Sequence, residues 1–184
     1  IGNEINNGMS GESDINNVIE LLKAGSRAVR EVAGQRGKDI GIVVHYTDIN
    51  KKEAVFSLIE KLVNGGLDFD MMGLSYYPFW HGDLDNMKNV IGYIGEHFGK
   101  KVFIAETSYC YNMEDGDGFA NRVSKSDLVE GYPATIDGQA SFMHDLYRDV
   151  NSAGGMGVFY WEGAWIPVGS ISRSEERRVG KECR

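Results

Sequence analysis

The sequence predicts an α/β chain on a parallel sheet, an incomplete (β/α)8 TIM barrel, and three observations carry that expectation. Short β-branched apolar runs near residues 40, 69, 102 and 156 alternate with helical periodicities. Such alternation fits a doubly wound sheet as well as a barrel, but no strand end here opens into the glycine-rich turn of a nucleotide-binding domain. Polar and aromatic residues gather instead where the strands end, as in a barrel's active site. A full barrel takes roughly 250 residues. The chain is therefore expected to run from the end of strand 4 through strand 8.

The elements follow in order. Ile15, Val18, Ile19, Leu22, Val29 and Val32 recur at helical spacing across 15–33, with Ser13 or Asp14 to cap and Gly34 or Gly37 to stop. "IGIVVHY" (40–46) is too short for a helix and reads as a buried strand. A helix at 51–63 turns Ala54, Val55, Leu58, Ile59, Leu62 and Val63 inward and ends at "NGG". "FDMMGLSYYP" (69–78) is the next strand, closed by Pro78. Asp83 caps a helix carrying Leu84, Met87, Val90, Ile91, Ile94 and Phe98, stopped by Gly99 before the strand "KVFIAE" (101–106). The polar stretch 107–136 is longer than an ordinary connection and reads as a functional loop. Ala140, Met143, Leu146, Tyr147 and Val150 mark a last helix, and "GMGVFYW" (155–161) a last strand.

From Arg173 the composition changes abruptly. "RSEERRVGKECR" holds five Lys or Arg and three Glu in twelve residues, and it back-translates with one codon choice into a common sequencing adapter. Residues 1–172 are therefore taken as the catalytic-domain part and 173–184 as a foreign tail. Without that tail, net +2, the remaining residues carry −10 instead of −8. So acidic a chain is repelled by nucleic-acid phosphates and anionic membranes, which argues against both as partners. Of the two cysteines only Cys110 remains, too few for an internal disulfide. Neither a transmembrane nor a signal segment is visible, and a chain opening on Ile1 with a motif at residue 2 is expected to be truncated upstream.

"IGNEIN" places Glu4 where an earlier strand would end, and "VFIAETSY" drives an apolar run into the interior to finish on Glu106. Two carboxylates at strand ends suit glycoside hydrolysis, one as protonated acid and one facing the anomeric carbon. Their bland alternative is a helix cap or a surface acid. Trp80, Trp161 and Trp165 follow strand ends, where indole faces can stack on sugar C–H faces. Tyr76 or Tyr77 could donate to Glu106, or be a core aromatic. His45 contacts sugar or is a satisfied strand-end histidine.

"GNEIN", "SYYPFWHG", "IAETSY", "DGDGFAN", "YPATIDGQ" and "GVFYWEGAWIPVG", in this order, resemble the successive motifs of glycoside hydrolase family 53, the endo-β-1,4-galactanases. The resemblance covers residues 1–169. It implies Glu4 as acid/base after the fourth strand, Asn3 on the sugar 2-hydroxyl, and Glu106 as nucleophile after the seventh. Trp80, His81 and Trp161 match the family's sugar-lining positions. The implied reaction is retaining cleavage of β-1,4-galactan, the pectin side chain, through a covalent galactosyl-enzyme. Glu4 must then hold a proton until it donates it, while Glu106 must be ionised. No organic cofactor is expected, and the parent protein is expected to be secreted and monomeric, with this chain inactive alone; the alternatives are a non-catalytic carbohydrate-binding fragment and a related retaining endo-glycanase acting on mannan or xylan.

In "EDGDGFAN", Asp115, Asp117 and Asn121 alternate with glycines, the oxygen-ligand pattern a Ca²⁺ ion needs, although Asp-Gly pairs also turn without metal. The resemblance adds the Phe119 carbonyl as a fourth ligand. The ion would order the loop beside the site.

Overall fold

A computed structural model describes residues 1–114 and 121–161. Four strands, β1 (Val43–Tyr46), β2 (Met71–Ser75), β3 (Lys101–Thr107) and β4 (Val158–Tyr160), form one sheet in sequence order, every neighbouring pair parallel. Helices α1 (Ile15–Arg36), α2 (Lys52–Asn64), α3 (Leu84–Phe98) and α4 (Ile136–Ser152) complete the alternation. This is the parallel α/β arrangement that the periodicity predicts.

Local chemistry fixes the helix ends. Asp14 accepts from the backbone N–H groups of Asn16 and Asn17 to start α1, Asp83 accepts from Asn86 to start α3, and Thr135 accepts from Gly138 to start α4. Each satisfies a donor that the first helical turn leaves without a partner. Gly37, at φ 58, ends α1 in the left-handed conformation that costs glycine least, while Gly34 stays helical. The expected boundary at Gly34 therefore gives way to Gly37. The last helix starts four residues before Ala140, since Thr135 supplies a cap that apolar spacing does not register.

The sheet has two unlike faces. Val44, Met72, Leu74, Val102 and Ile104 are buried in one cluster with Val18, Leu22, Val55, Ile59, Met87, Ile91 and Leu146 of the helices. The alternation of strand side chains turns Val43, His45, Gly73, Ser75, Phe103 and Ala105 to the opposite face. There Phe103 meets Phe159 edge-on with ring centres 5.5 Å apart, and Phe159 is 64% exposed. A Cβ on Gly73 would come within 3.1 Å of Val43 Cγ1 and 3.2 Å of Ala105 Cβ, so the smallest residue sits where three strands crowd.

Candidate active site

The N-terminal segment is tied along β1, from its first residue to just past its last. The Ile1 amino group donates to Val43 O at 2.6 Å, and Asn6 exchanges two bonds with the Thr47 backbone, at 2.8 and 2.9 Å. Between these anchors Glu4 takes φ 45, ψ 60, a left-handed conformation uncommon for a residue with a side chain. Such strain persists where surrounding structure over-determines it and concentrates at functional sites.

Glu106 is delivered by an irregularity. In the β2–β3 pairing Leu74 faces Ile104 but Ser75 faces Glu106, so Ala105 is skipped. An extra residue on one strand bends it and re-aims the side chains beyond. The bulge brings Glu106 within 3.9 Å of His45 on β1. Ligand atoms of Glu4, His45 and Glu106 all lie within 4.8 Å of one another. A strand-end histidine and two acids about 40 to 100 residues apart in sequence thus meet.

Each polar group in this cluster has a defined neighbour. Tyr77 donates its phenol hydrogen to Glu106 Oε2 at 3.0 Å. Ser75 Oγ donates to Glu4 Oε1 at 2.6 Å and lies 2.9 Å from His45 Nε2. His45 Nδ1 lies 3.0 Å from Asn3 Oδ1. His81 Nδ1 sits 3.1 Å from both Tyr77 N and Ser75 O, while its Nε2 faces Thr47 Oγ1 at 3.4 Å and Asp48 at 3.8 Å. Burial pushes both His45 and His81 below the ordinary imidazole range, with the Glu4 charge opposing this at His45 and Asp48 opposing it at His81.

Aromatic rings edge the cluster. Tyr77 lies 5.8 Å from Trp80 and meets Trp161 edge-on at 6.5 Å, centre to centre. Trp80 is 42% exposed and so offers indole surface to a ligand. Tyr76 points elsewhere. It is fully buried and donates to Gly82 O at 3.0 Å, so of the two tyrosines Tyr77 reaches Glu106 and Tyr76 is the core aromatic.

Ser75 is the residue that sequence reasoning missed. A serine ending an apolar strand has no motif of its own, and the only signal was its parity with the inward-facing positions. Asp115, Asp117 and Phe119 lie outside the described residues. Asn121 turns its amide nitrogen to Met113 O and Glu114 O at 3.4 and 3.5 Å. Trp165 and the 173–184 tail also lie outside the described residues.

A parallel sheet with two carboxylates, a tyrosine and exposed indole gathered at one end makes the kind of site found in glycoside hydrolases. The chain belongs to glycosyl hydrolase family 53, whose sequence profile matches residues 1–183. It is 41% identical to the endo-β-1,4-galactanase of Bacillus subtilis over 97% of this chain and 41% of that protein. The Ignisphaera aggregans GH53 catalytic domain superposes with a TM-score of 0.83 and 37% identity, covering 91% of this chain and 48% of the other. A fungal β-1,4-galactanase structure gives a TM-score of 0.70 at 25% identity, over 89% of this chain and 51% of that one. The chain thus spans about half the length of the relatives it matches.

Proposed function

We propose that this chain is the acid- and nucleophile-bearing half of a (β/α)8 barrel that cleaves internal β-1,4-galactosidic bonds with retention of configuration. The observation that carries the reading is the carboxylate pair, Glu4 and Glu106, with oxygens within 4.8 Å of each other. Retaining enzymes hold their two carboxyl groups about 5–5.5 Å apart, and inverting ones leave about 6.5–9.5 Å for a water. The galactanase names of the relatives supply the sugar and linkage.

Glu106 attacks the anomeric carbon while Glu4 protonates the departing oxygen, giving a covalent glycosyl-enzyme. Glu4 then takes a proton from the water that releases the sugar. Tyr77 holds Glu106 Oε2 and so orients the carboxylate that attacks. Asn3 offers its amide to the sugar 2-hydroxyl, and Trp80 and Trp161 line the sugar path, with the buried His81 holding the Tyr77 backbone behind them. With one sheet face open among the described residues, the isolated chain is expected to turn over no galactan until the other strands complete the barrel.

The same reading takes the complete protein as a secreted monomer acting on pectin side chains. Calcium belongs to it as well: Asp115, Asp117, the Phe119 carbonyl and Asn121 are the oxygen set that would hold the ion. Asn121 is compatible with that role, because its nitrogen faces the Met113 and Glu114 carbonyls and its oxygen accepts no hydrogen bond among the described residues. The ion would order the loop that carries these residues.

The test is a reducing-sugar assay of the complete barrel on linear β-1,4-galactan, mannan and xylan, with the anomer of the first product read by NMR. Cleavage of galactan alone with a β product is expected. Cleavage of xylan or mannan in its place, or an α product, would overturn the substrate or the mechanism respectively, and no cleavage of any glycan would leave a sugar-binding scaffold.

A further inference from the structure

The hydrogen-bond chain that runs from Asn3 through His45 and Ser75 to Glu4 has a proton count that constrains both of its ends. Asn3 Oδ1 faces His45 Nδ1, His45 Nε2 faces Ser75 Oγ, and Ser75 Oγ donates to Glu4 Oε1, at 3.0, 2.9 and 2.6 Å. An amide oxygen only accepts, so His45 Nδ1 carries a hydrogen. A serine hydroxyl has one hydrogen to give. When that hydrogen goes to an ionised Glu4, the His45–Ser75 contact needs a second hydrogen on Nε2, and the ring is an imidazolium. When the ring is neutral, Nε2 is bare and draws the serine hydrogen to itself. The short Glu4–Ser75 contact then needs a hydrogen on the carboxyl. Both arrangements hold the same number of protons.

We propose that Glu4, Ser75 and His45 form a proton relay, in which the acid's proton is stored at either end and Ser75 is the positioning residue that passes it. The inference rests on reading Glu4 as the general acid. In the transfer, a hydrogen leaves Glu4 Oε1 for Ser75 Oγ as the serine's own hydrogen moves to His45 Nε2. A carboxylate and an imidazolium result, with net charge and proton number unchanged. During catalysis the carboxyl gives its proton to the leaving oxygen and recovers one from the attacking water, so the store is refilled once per turnover.

The surroundings bias the store. The N-terminal segment presents Glu4 to His45, β3 presents Glu106 at 3.9 Å, and the segment after β2 presents Tyr77 on Glu106 and His81 on the Ser75 carbonyl. Burial disfavours the imidazolium, while the Glu4 carboxylate favours it. Burial, the larger of the two, keeps the ring neutral. Groups linked this closely titrate as a pair, so the alkaline limb of activity belongs to the unit rather than to one residue.

The test uses the complete barrel, labelled with ¹⁵N at histidine, with Ser75→Ala and Ser75→Thr beside it. Long-range ¹H–¹⁵N spectra should show neutral His45 with its hydrogen on Nδ1 and a two-step titration. In Ser75→Ala the His45 curve should collapse to a single step, and the alkaline limb of kcat/KM on galactan should move to lower pH by about one unit, a tenfold weaker hold on the proton. Removing the hydroxyl takes away the hydrogen bond that stabilises the proton at either end. Ser75→Thr, which keeps the hydroxyl, should restore both. A neutral His45 with its hydrogen on Nε2, or a Ser75→Ala protein whose His45 curve and alkaline limb both stay in place, would overturn the relay. The tautomer needs neither variant nor turnover: coupled His45 spectra without glycan cleavage would sink the galactanase reading alone, and galactan cleavage with uncoupled spectra would sink the relay alone.

Discussion

Tyr77 and Glu106 are joined across neighbouring strand ends by a 3.0 Å hydrogen bond in which the phenol donates to Oε2. A bond to a carboxylate is charge-assisted, contributing about 1.5–3 kcal/mol. It holds one oxygen of the nucleophile and so orients the other. Tyr77→Phe should lower kcat/KM on galactan by about 10- to 100-fold while leaving the thermal midpoint close to the parent's. Unchanged kinetics in a folded Tyr77→Phe protein would mean that the bond orients nothing.

The two carboxylates should separate by substrate. Glu106→Gln loses the covalent step and should fall by about a thousandfold or more on every substrate. Glu4→Gln loses proton donation, so an aryl galactoside with an acidic leaving group should retain far more of its rate than galactan does. Equal losses of Glu4→Gln on both substrates would remove the acid assignment.

Acid should unfold the protein in two ranges. His45 and His81 are held below the ordinary imidazole value by burial. Their neutral forms add stability that is present above about pH 6.5 and lost as pH falls toward their folded values. Hydrogen bonds from Arg30 hold Asp68 and Asp70 below the usual carboxylate range, a contribution present above about pH 4 and lost below it. Arg30→Ala should therefore lower the urea midpoint at pH 7 and lie closer to the parent near pH 3. Parallel curves at all pH values would show that the Arg30 contacts, bonded to Asp68 at 2.7 Å and Asp70 at 2.9 Å, do not set the acid response.

Calcium should be visible without an assay. An ion that binds only the folded loop raises the melting temperature by mass action. Chelation should lower it, and Asp115→Ala with Asp117→Ala should abolish the difference. A melting temperature indifferent to chelator would remove the ion.

The sequence by itself determined the alternation of strands and helices, because side-chain period, caps and glycine stops act within a few residues of themselves. It also named Glu4, Glu106, His45 and the pair Tyr76 and Tyr77, since an acid or an aromatic at the end of an apolar run is visible in one dimension. Tertiary structure decided what those residues do to one another. Which of Tyr76 and Tyr77 reaches Glu106 depends on the strand's parity beyond β2, and the skipped Ala105 sets where Glu106 points. Ser75 became a partner of Glu4 only because Asn6 and Ile1 clamp the N-terminal segment onto β1. Hydrogen bonds between residues 71 positions apart leave no periodic trace, as their geometry is fixed by sheet register and chain anchoring rather than by neighbours in sequence.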